Sequence, residues 1–223
     1  MSAPVTARIA EGVTSIPAAQ WDACAGGANP FVAHAFLSAL ERSGSATAET
    51  GWQPLPIVID GPCGTPAAIV PAYAKSHSQA EYVFDHAWAD AWERAGGHYY
   101  PKLQAAVPFT PVPGPRLLLR DAALAPGLIA GLEAVTDQNR LSSAHVTFLD
   151  EAQLPLFEQA DWLIRSGTQF HWHNDGYAGF DDFLPALSSR KRKAIRKERE
   201  RALEGLTIRH LSGADITEAH WDA

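Results

Sequence analysis

Two apolar segments joined by a four-residue turn constrain this chain more than any other feature. Pro54 to Asp60 reads as an apolar strand, Ala67 to Lys75 reads as a second, and the Gly61-Pro62-Cys63-Gly64 turn between them makes the pair a hairpin. The second half of the chain sets the fold class. Leu124 to Leu141 has the pattern of a helix, Ala144 to Leu149 of a β-rich strand, Gln153 to Ala160 of another helix and Thr168 to Asn174 of another strand. A hairpin succeeded by strands that alternate with helices predicts an α/β sandwich rather than a bundle or a barrel.

The flanking segments extend this order. Val5 to Ile16 predicts a strand ending at Pro17, and Ala18 to Ala25 a short helix closed by Gly26 and Gly27. Phe31, His34, Phe36, Leu37 and Leu40 recur at helical spacing, which predicts an amphipathic helix from about Val32 to Arg42. Ala89 to Ala95 predicts a helix stopped by Gly96-Gly97. Tyr99 to Val112 reads as an extended segment broken by Pro101, Pro108 and Pro111, with Pro113 just beyond; the lost ladder donors assign it to a sheet edge or a splayed gap. Gly176 to Gly179 reads as a joint, dividing a first domain at 1–175 from a second segment at 176–223. Past the joint come a short helix around Phe183 to Leu187, a basic helix from Arg190 to Leu203, a strand from Leu206 to Leu211 and a helix starting near Ile216. Strand then helix repeats the way the chain began, as the opening of a second copy of one unit would.

Composition narrows the environment. A hydrophobic share of 46% with 19% charged residues supports a buried core and excludes global disorder. Cys24 and Cys63 lie far apart and match no metal or redox spacing, which predicts free thiols in a reducing compartment. No apolar run approaches the roughly 20 residues that cross a bilayer, and no leader pattern comes after Met1, so the expected location is the cytoplasm. The net charge of -7 is uneven: the run from Arg190 to Glu204 carries +5 and the remainder -12. A mostly acidic surface argues against wholesale nucleic-acid coating, while one basic segment can still hold a local anion.

Glu81 to Arg116 concentrates rings, histidines and prolines beside a few polar anchors, a mixture suited to a pocket. His86 is the candidate general base for an amine, with Asp85 and Tyr100 as catalytic partners; the other reading of His86 is a helix cap or a ring bonded to its neighbours. His34, Tyr99, Lys102 and Gln104 are candidate substrate-binding residues, as are His171, Trp172 and Asn174. In a strand, Gln169, His171 and His173 would share one face, but no third ligand stands at a recognisable spacing, so no metal is expected. Arg190 to Lys193 crowd cations into a first helical turn, where the macrodipole is already positive. Two readings of this run stand: an anion site capped by Ser188 or Ser189, and a solvated basic face.

Several long words carry a resemblance: NPFVAHAFLSALERSGS (Asn29 to Ser45), TGWQP (Thr50 to Pro54), the run from Glu81 to Leu118, QFHWHNDGY (Gln169 to Tyr177) and SSRKRKAIRKER (Ser188 to Arg199). In these the chain resembles the FemAB-like branch of the GNAT-fold N-acyltransferases. The resemblance implies a GNAT-like mixed sheet flanked by helices, and after it the start of a second GNAT-like repeat. It implies acyl-CoA as co-substrate, its pyrophosphate held at Pro111 to Arg116 by Gly114 and Arg116, with Ser189, Arg190, Lys191 and Arg192 as further cofactor-binding residues. The usual Arg/Gln-x-x-Gly-x-Gly/Ala loop is reduced here to Gly114 and Arg116. The implied activity is N-acyl transfer from an acyl-CoA or related carrier to a small-molecule or peptide amine, in cell-wall or peptide metabolism. Two alternatives accompany it: a tRNA-dependent aminoacyltransferase or nucleic-acid binder that uses the basic helix, and an inactive recognition or interaction module.

Overall fold

The hairpin forms, but each of its arms is broken in the middle and shared between two sheets. In the computed structural model, which describes residues 6–222, β1 (Ala7–Ile9) precedes a first arm made of β2 (Trp52–Pro54) and β3 (Ile57–Asp60). The second arm is β4 (Pro66–Val70) and β5 (Ala72–Lys75). The breaks fall at Pro56 and Pro71, which have no N–H for a ladder. Leu55 N donates to Ala72 O at 2.8 Å and carries the pairing across the break. With β6 (Lys102–Ala105), β7 (Leu118–Leu119) and β8 (Ala144–Val146), one sheet has the order β1-β3-β4-β7 and the other β2-β5-β6-β8. All pairs are antiparallel except β6 with β8. The architecture is mixed α/β, two four-stranded sheets flanked by helices.

Two expectations for the first half change here. The strand expected from Val5 to Ile16 is β1 and then a 3-10 turn at Val13–Ser15; Val5 itself lies outside the described residues. The turn is fixed by Glu41, whose carboxylate accepts from Val13 N at 2.7 Å and Thr14 N at 3.0 Å. Tyr99 to Val112 is a strand only over β6, which lies between β5 and β8 rather than at an edge. Pro101 and Pro108 flank that ladder, so no donor inside it is lost.

The first sheet is buried on both faces. Ile57, Ile59, Ala68 and Val70 point to one core, while Val58, Ile69 and Leu118 point to another, as the alternation of side chains along a strand requires. Helices α1 (Ala18–Ala25) and α2 (His34–Arg42) cover the second core. Two polar anchors fix them: Trp21 Nε1 donates to Val32 O at 2.8 Å, and Asp22 accepts from His34 N at 2.8 Å, supplying the cap that Ala33 cannot. After α3 (His86–Arg94), α4 (Ala125–Gln138) and α5 (Leu154–Glu158) cover the first core with Leu128, Leu132, Val135 and Phe157. A Cβ at Gly131 would stand 3.2 Å from Ile57 Cγ2 and 3.3 Å from Ala7 Cβ, so glycine lets α4 approach the strands closely.

The chain divides into two compact units, one ending at Arg165 and the other starting at Ser166. The second unit contains α6 (Phe180–Phe183), α7 (Ser189–Leu203) and α8 (Glu218–Trp221). Neither Thr168 to Asn174 nor Leu206 to Leu211 is a strand; both runs are exposed and take no ladder partner among the described residues. A strand persists only where a neighbour takes up its backbone donors and acceptors, and β propensity alone does not supply one. No described helix is long and apolar enough to cross a membrane.

Candidate functional site

The second sheet has one apolar face and one polar face, and both are covered. Ala72, Leu103 and Ala105 belong to the core under α4, with Ala144 and Val146 packed beside them. The alternate residues, Trp52 on β2, Tyr73 and Lys75 on β5, Lys102 and Gln104 on β6 and His145 on β8, share the opposite face. Lys75 stands directly across from Lys102, and Tyr73 across from Gln104. Both lysines are fully buried. Like charges opposite one another on neighbouring strands repel, so each ammonium requires a separate source of stabilisation.

Lys102 has three partners for its three protons. Its Nζ donates to Asp85 Oδ2 at 2.6 Å, Glu81 Oε2 at 2.8 Å and Ser78 Oγ at 3.0 Å. Asp85 Oδ2 also accepts from Tyr99 OH at 2.9 Å and Ser78 Oγ at 3.0 Å, and Tyr100 OH donates to Ser78 Oγ at 2.7 Å. Desolvation alone would raise the Asp85 carboxyl; hydrogen bonds from Lys102 and Ser78, the Lys102 charge and the Tyr99 bond outweigh it and hold it below its ordinary value. Glu81 moves the other way, because burial dominates over its bond to Lys102. Burial and the bond to Asp85 keep Tyr99 protonated above its ordinary range.

Lys75 has a poorer set. Its Nζ lies 3.6 Å from the centre of the Trp52 ring and, among the described residues, donates only to Gln79 O, at 3.3 Å. Burial pushes its pKa down to about 8, against the pull of Glu81 and with the push of Lys102. His145 is likewise lowered to about 4, by burial first and by the charge of Lys102 second. Its Nε2 is 2.8 Å from Ser143 Oγ.

Of the residues that the sequence singles out, Asp85, Tyr99, Tyr100 and Lys102 meet in this network, and Gln104 lies on the same face, donating to Thr147 Oγ1 at 3.0 Å. His86 does not join them. It opens α3 as an exposed residue with no side-chain hydrogen bond among the described residues, while the Asp85 carboxylate turns from the helix toward Lys102. His34 is buried against Trp21 on the far side of the first sheet's core. Ser78, Glu81, Lys75, Trp52, Tyr73 and His145 escape the sequence reading. Their signal is the alternation of Tyr73 and Lys75 with Ala72 and Ala74, which marks a polar face on an otherwise apolar arm.

The loop expected to hold a pyrophosphate turns its backbone donors toward the protein itself. Pro111, Pro113 and Pro115 have no N–H; Val112 N donates to Thr110 O, Gly114 N to Phe148 O at 3.0 Å, and Arg116 N to Gln153 Oε1 at 2.9 Å. Arg116 is buried, and its guanidinium donates to the carbonyls of Thr147, Pro115 and Val112. Burial lowers its pKa to about 10. A Cβ at Gly114 would meet Asn29 Nδ2 at 2.2 Å, so the Asn29 side chain packs directly on this glycine.

In the second unit, Asn174 closes a turn on Tyr177, accepting from its N at 2.8 Å and donating to its O at 3.0 Å. Trp172 packs on Tyr177 and Phe183, and the His171 ring stacks on His173 at 6.5 Å. Ser188 rather than Ser189 caps α7, accepting from Lys191 N at 3.5 Å. Arg190 and Lys191 are exposed on its first turn, and Arg192 donates to Leu187 O at 3.1 Å. Among the described residues no group of three or more histidine, cysteine or acidic side chains is arranged to hold a metal ion.

A family model described as FemAB-like, peptidoglycan biosynthesis/recognition, matches residues 12–223. No curated protein and no solved structure matches the chain.

Proposed function

From the premise that the chain belongs to the FemAB-like family of peptidoglycan biosynthesis and recognition, we propose that it takes part in N-acyl transfer to an amine of a cell-wall peptide or its precursor. The observation that carries this reading is the Lys102 network. Two buried carboxylates share one ammonium, and each keeps one oxygen, Glu81 Oε1 and Asp85 Oδ1, without a partner among the described residues. Such oxygens suit an incoming ammonium. Glu81, raised by its burial, is the better proton acceptor of the two, because a base works best when its pKa approaches the working pH.

In the proposed reaction Glu81 first takes one proton from the bound ammonium, and the freed amine nitrogen attacks the acyl carbonyl carbon. The N–C bond forms and the bond from that carbon to the carrier breaks. The carrier leaves with its electron pair and takes up the second proton lost by the nitrogen, and Glu81 later returns its proton to solvent. Asp85, tied to Lys102, Tyr99 and Ser78, stays ionised and orients the amine.

The carrier is proposed to be anionic. The backbone N–H groups of Val112, Gly114 and Arg116 are already given to acceptors of the protein, whereas α7 presents Arg190, Lys191, Lys193 and Lys197 to solvent. This favours a phosphorylated carrier, acyl-CoA or aminoacyl-tRNA. A steep loss of binding with salt is expected of the tRNA form. The test measures acyl transfer to a stem-peptide amine by mass, with each carrier in turn. Glu81→Gln should lower kcat about a hundredfold while the protein stays folded by circular dichroism. Transfer unchanged in that variant would refute the assigned role, and no transfer from either carrier would refute the function.

A further inference from the structure

Seven buried side-chain polar atoms lack a hydrogen-bond partner among the described residues, and five of them belong to the polar face or to the segment over it. They are Trp52 Nε1, Tyr73 OH, Gln104 Oε1, Glu81 Oε1 and Asp85 Oδ1. Buried polar groups are nearly always paired, since leaving one unmade is costly. Three on one face and two on the segment over it is a concentration that core packing does not account for. They also sort by kind. Trp52 and Tyr73 offer donors on β2 and β5, on the face that also holds Lys75, whose ammonium has one carbonyl contact among the described residues. Glu81, Asp85 and Gln104 offer acceptors around Lys102 on β6. Adjacent strands lie about 4.8 Å apart, so one small molecule can span both rows.

We propose that this face seats a zwitterionic amino-acid head, its carboxylate against Trp52, Tyr73 and Lys75 and its ammonium against Glu81, Asp85 and Gln104. The inference rests on the transfer reading for its chemistry, and it names the acceptor as an amine that carries a carboxylate. Entry requires residues 76–85 to lift, since they supply Ser78, Glu81 and Asp85 to the cover. Ala80 (φ 61) and Tyr82 (φ 56) hold left-handed backbone there without being glycine, a strain of the kind stored in segments that move for function. The Lys75 pKa stays depressed by burial despite the pull of Glu81, which agrees with an ammonium that has no hydrogen-bonded anion among the described residues.

Thermal melts of the full chain with alanine of either hand, alaninamide and N-acetylalanine at equal concentration test the site without any transfer assay. Alanine should raise the Tm and the two blocked forms should not; equal shifts from all three, or none from any, overturn the proposal. Tyr73→Phe deletes one orphaned hydroxyl at constant shape. It should leave the free protein as stable or more so and weaken alanine binding about tenfold, the loss of one such hydrogen bond. A lower Tm for that variant, with no alanine effect on either protein, would mean ordered water only and overturn the proposal. Transfer to alaninamide as fast as to alanine would overturn it while leaving the transfer function intact. Alanine binding with no transfer to any amine would sustain it and refute the function instead.

Discussion

The two faces of the second sheet are made by alternate residues of the same strands and are both covered, yet they are stabilised by opposite means. Under α4, Ala72, Leu103 and Ala105 gain from removing apolar surface from water. Across the sheet, Tyr73, Lys75, Lys102 and Gln104 give up hydration and must recover it from hydrogen bonds and ion pairs. The apolar face recovers everything by packing. The polar face recovers Lys102 in full, Lys75 in part, and the Trp52, Tyr73 and Gln104 groups left unpartnered not at all. The difference teaches that burial by itself says nothing about purpose; what separates a core from a site is the balance of partners.

The largest expected effect breaks the polar face at its centre. Lys102→Met would leave Glu81 and Asp85 buried without their cation, and removing one member of a buried ion pair costs about 3–5 kcal/mol. Urea denaturation measures it. A loss below about 1 kcal/mol would mean that the carboxylates re-solvate easily, and that this face is wetter than its burial indicates.

Leu103, one residue on and facing the other way, gives the apolar counterpart. Leu103→Ala should cost about 2–5 kcal/mol through lost transfer energy and the cavity left behind. It should leave acyl transfer intact in whatever fraction stays folded. Loss of activity per folded molecule would show that the two faces are coupled, and would dissolve the comparison.

Much of this architecture is legible in the residues alone. The hairpin, α1 and α4 come from turn residues and periodicity, and Asp85, Tyr99, Tyr100, Lys102 and Gln104 from the crowding of rings with polar groups. The rest depends on long-range pairing. Ala67 to Lys75 reads as one strand, and only the transfer of pairing at Pro71 puts Tyr73 and Lys75 on a different sheet from Ile69. His145 joins the face solely through its parallel register with Gln104. Histidine is the usual neutral-pH base, which favours His86 in a reading by residue type, but the first residue of a helix points where the helix axis sends it, and here that is into solvent. Thr168 to Asn174 has strand composition without a strand neighbour, which no local pattern discloses.

The smallest expected effect is a pH dependence that belongs to the polar face alone. Lys75 has a folded pKa of about 8 against an ordinary value of 10.5. Below about 8 it is protonated in the folded and unfolded chain alike, so the cost of burying the ammonium is present in full. As the pH rises past 8 the folded protein releases the proton while the unfolded chain keeps it, so the unfolded state binds more protons and stability rises with pH. Glu81, Lys102 and Trp52 face this ammonium. Tyr73 and Tyr99, kept protonated by burial, act in the opposite sense once the unfolded tyrosines ionise near about 10. The window to measure is therefore roughly pH 7.5 to 9.5. Wild type should gain stability across it, and Lys75→Met, which keeps the side-chain volume and removes the charge, should be flat there and more stable than wild type at the lower end. If Lys75→Met is instead less stable at every pH, the indole and the Gln79 carbonyl satisfy the ammonium, and the contrast between the two lysines disappears.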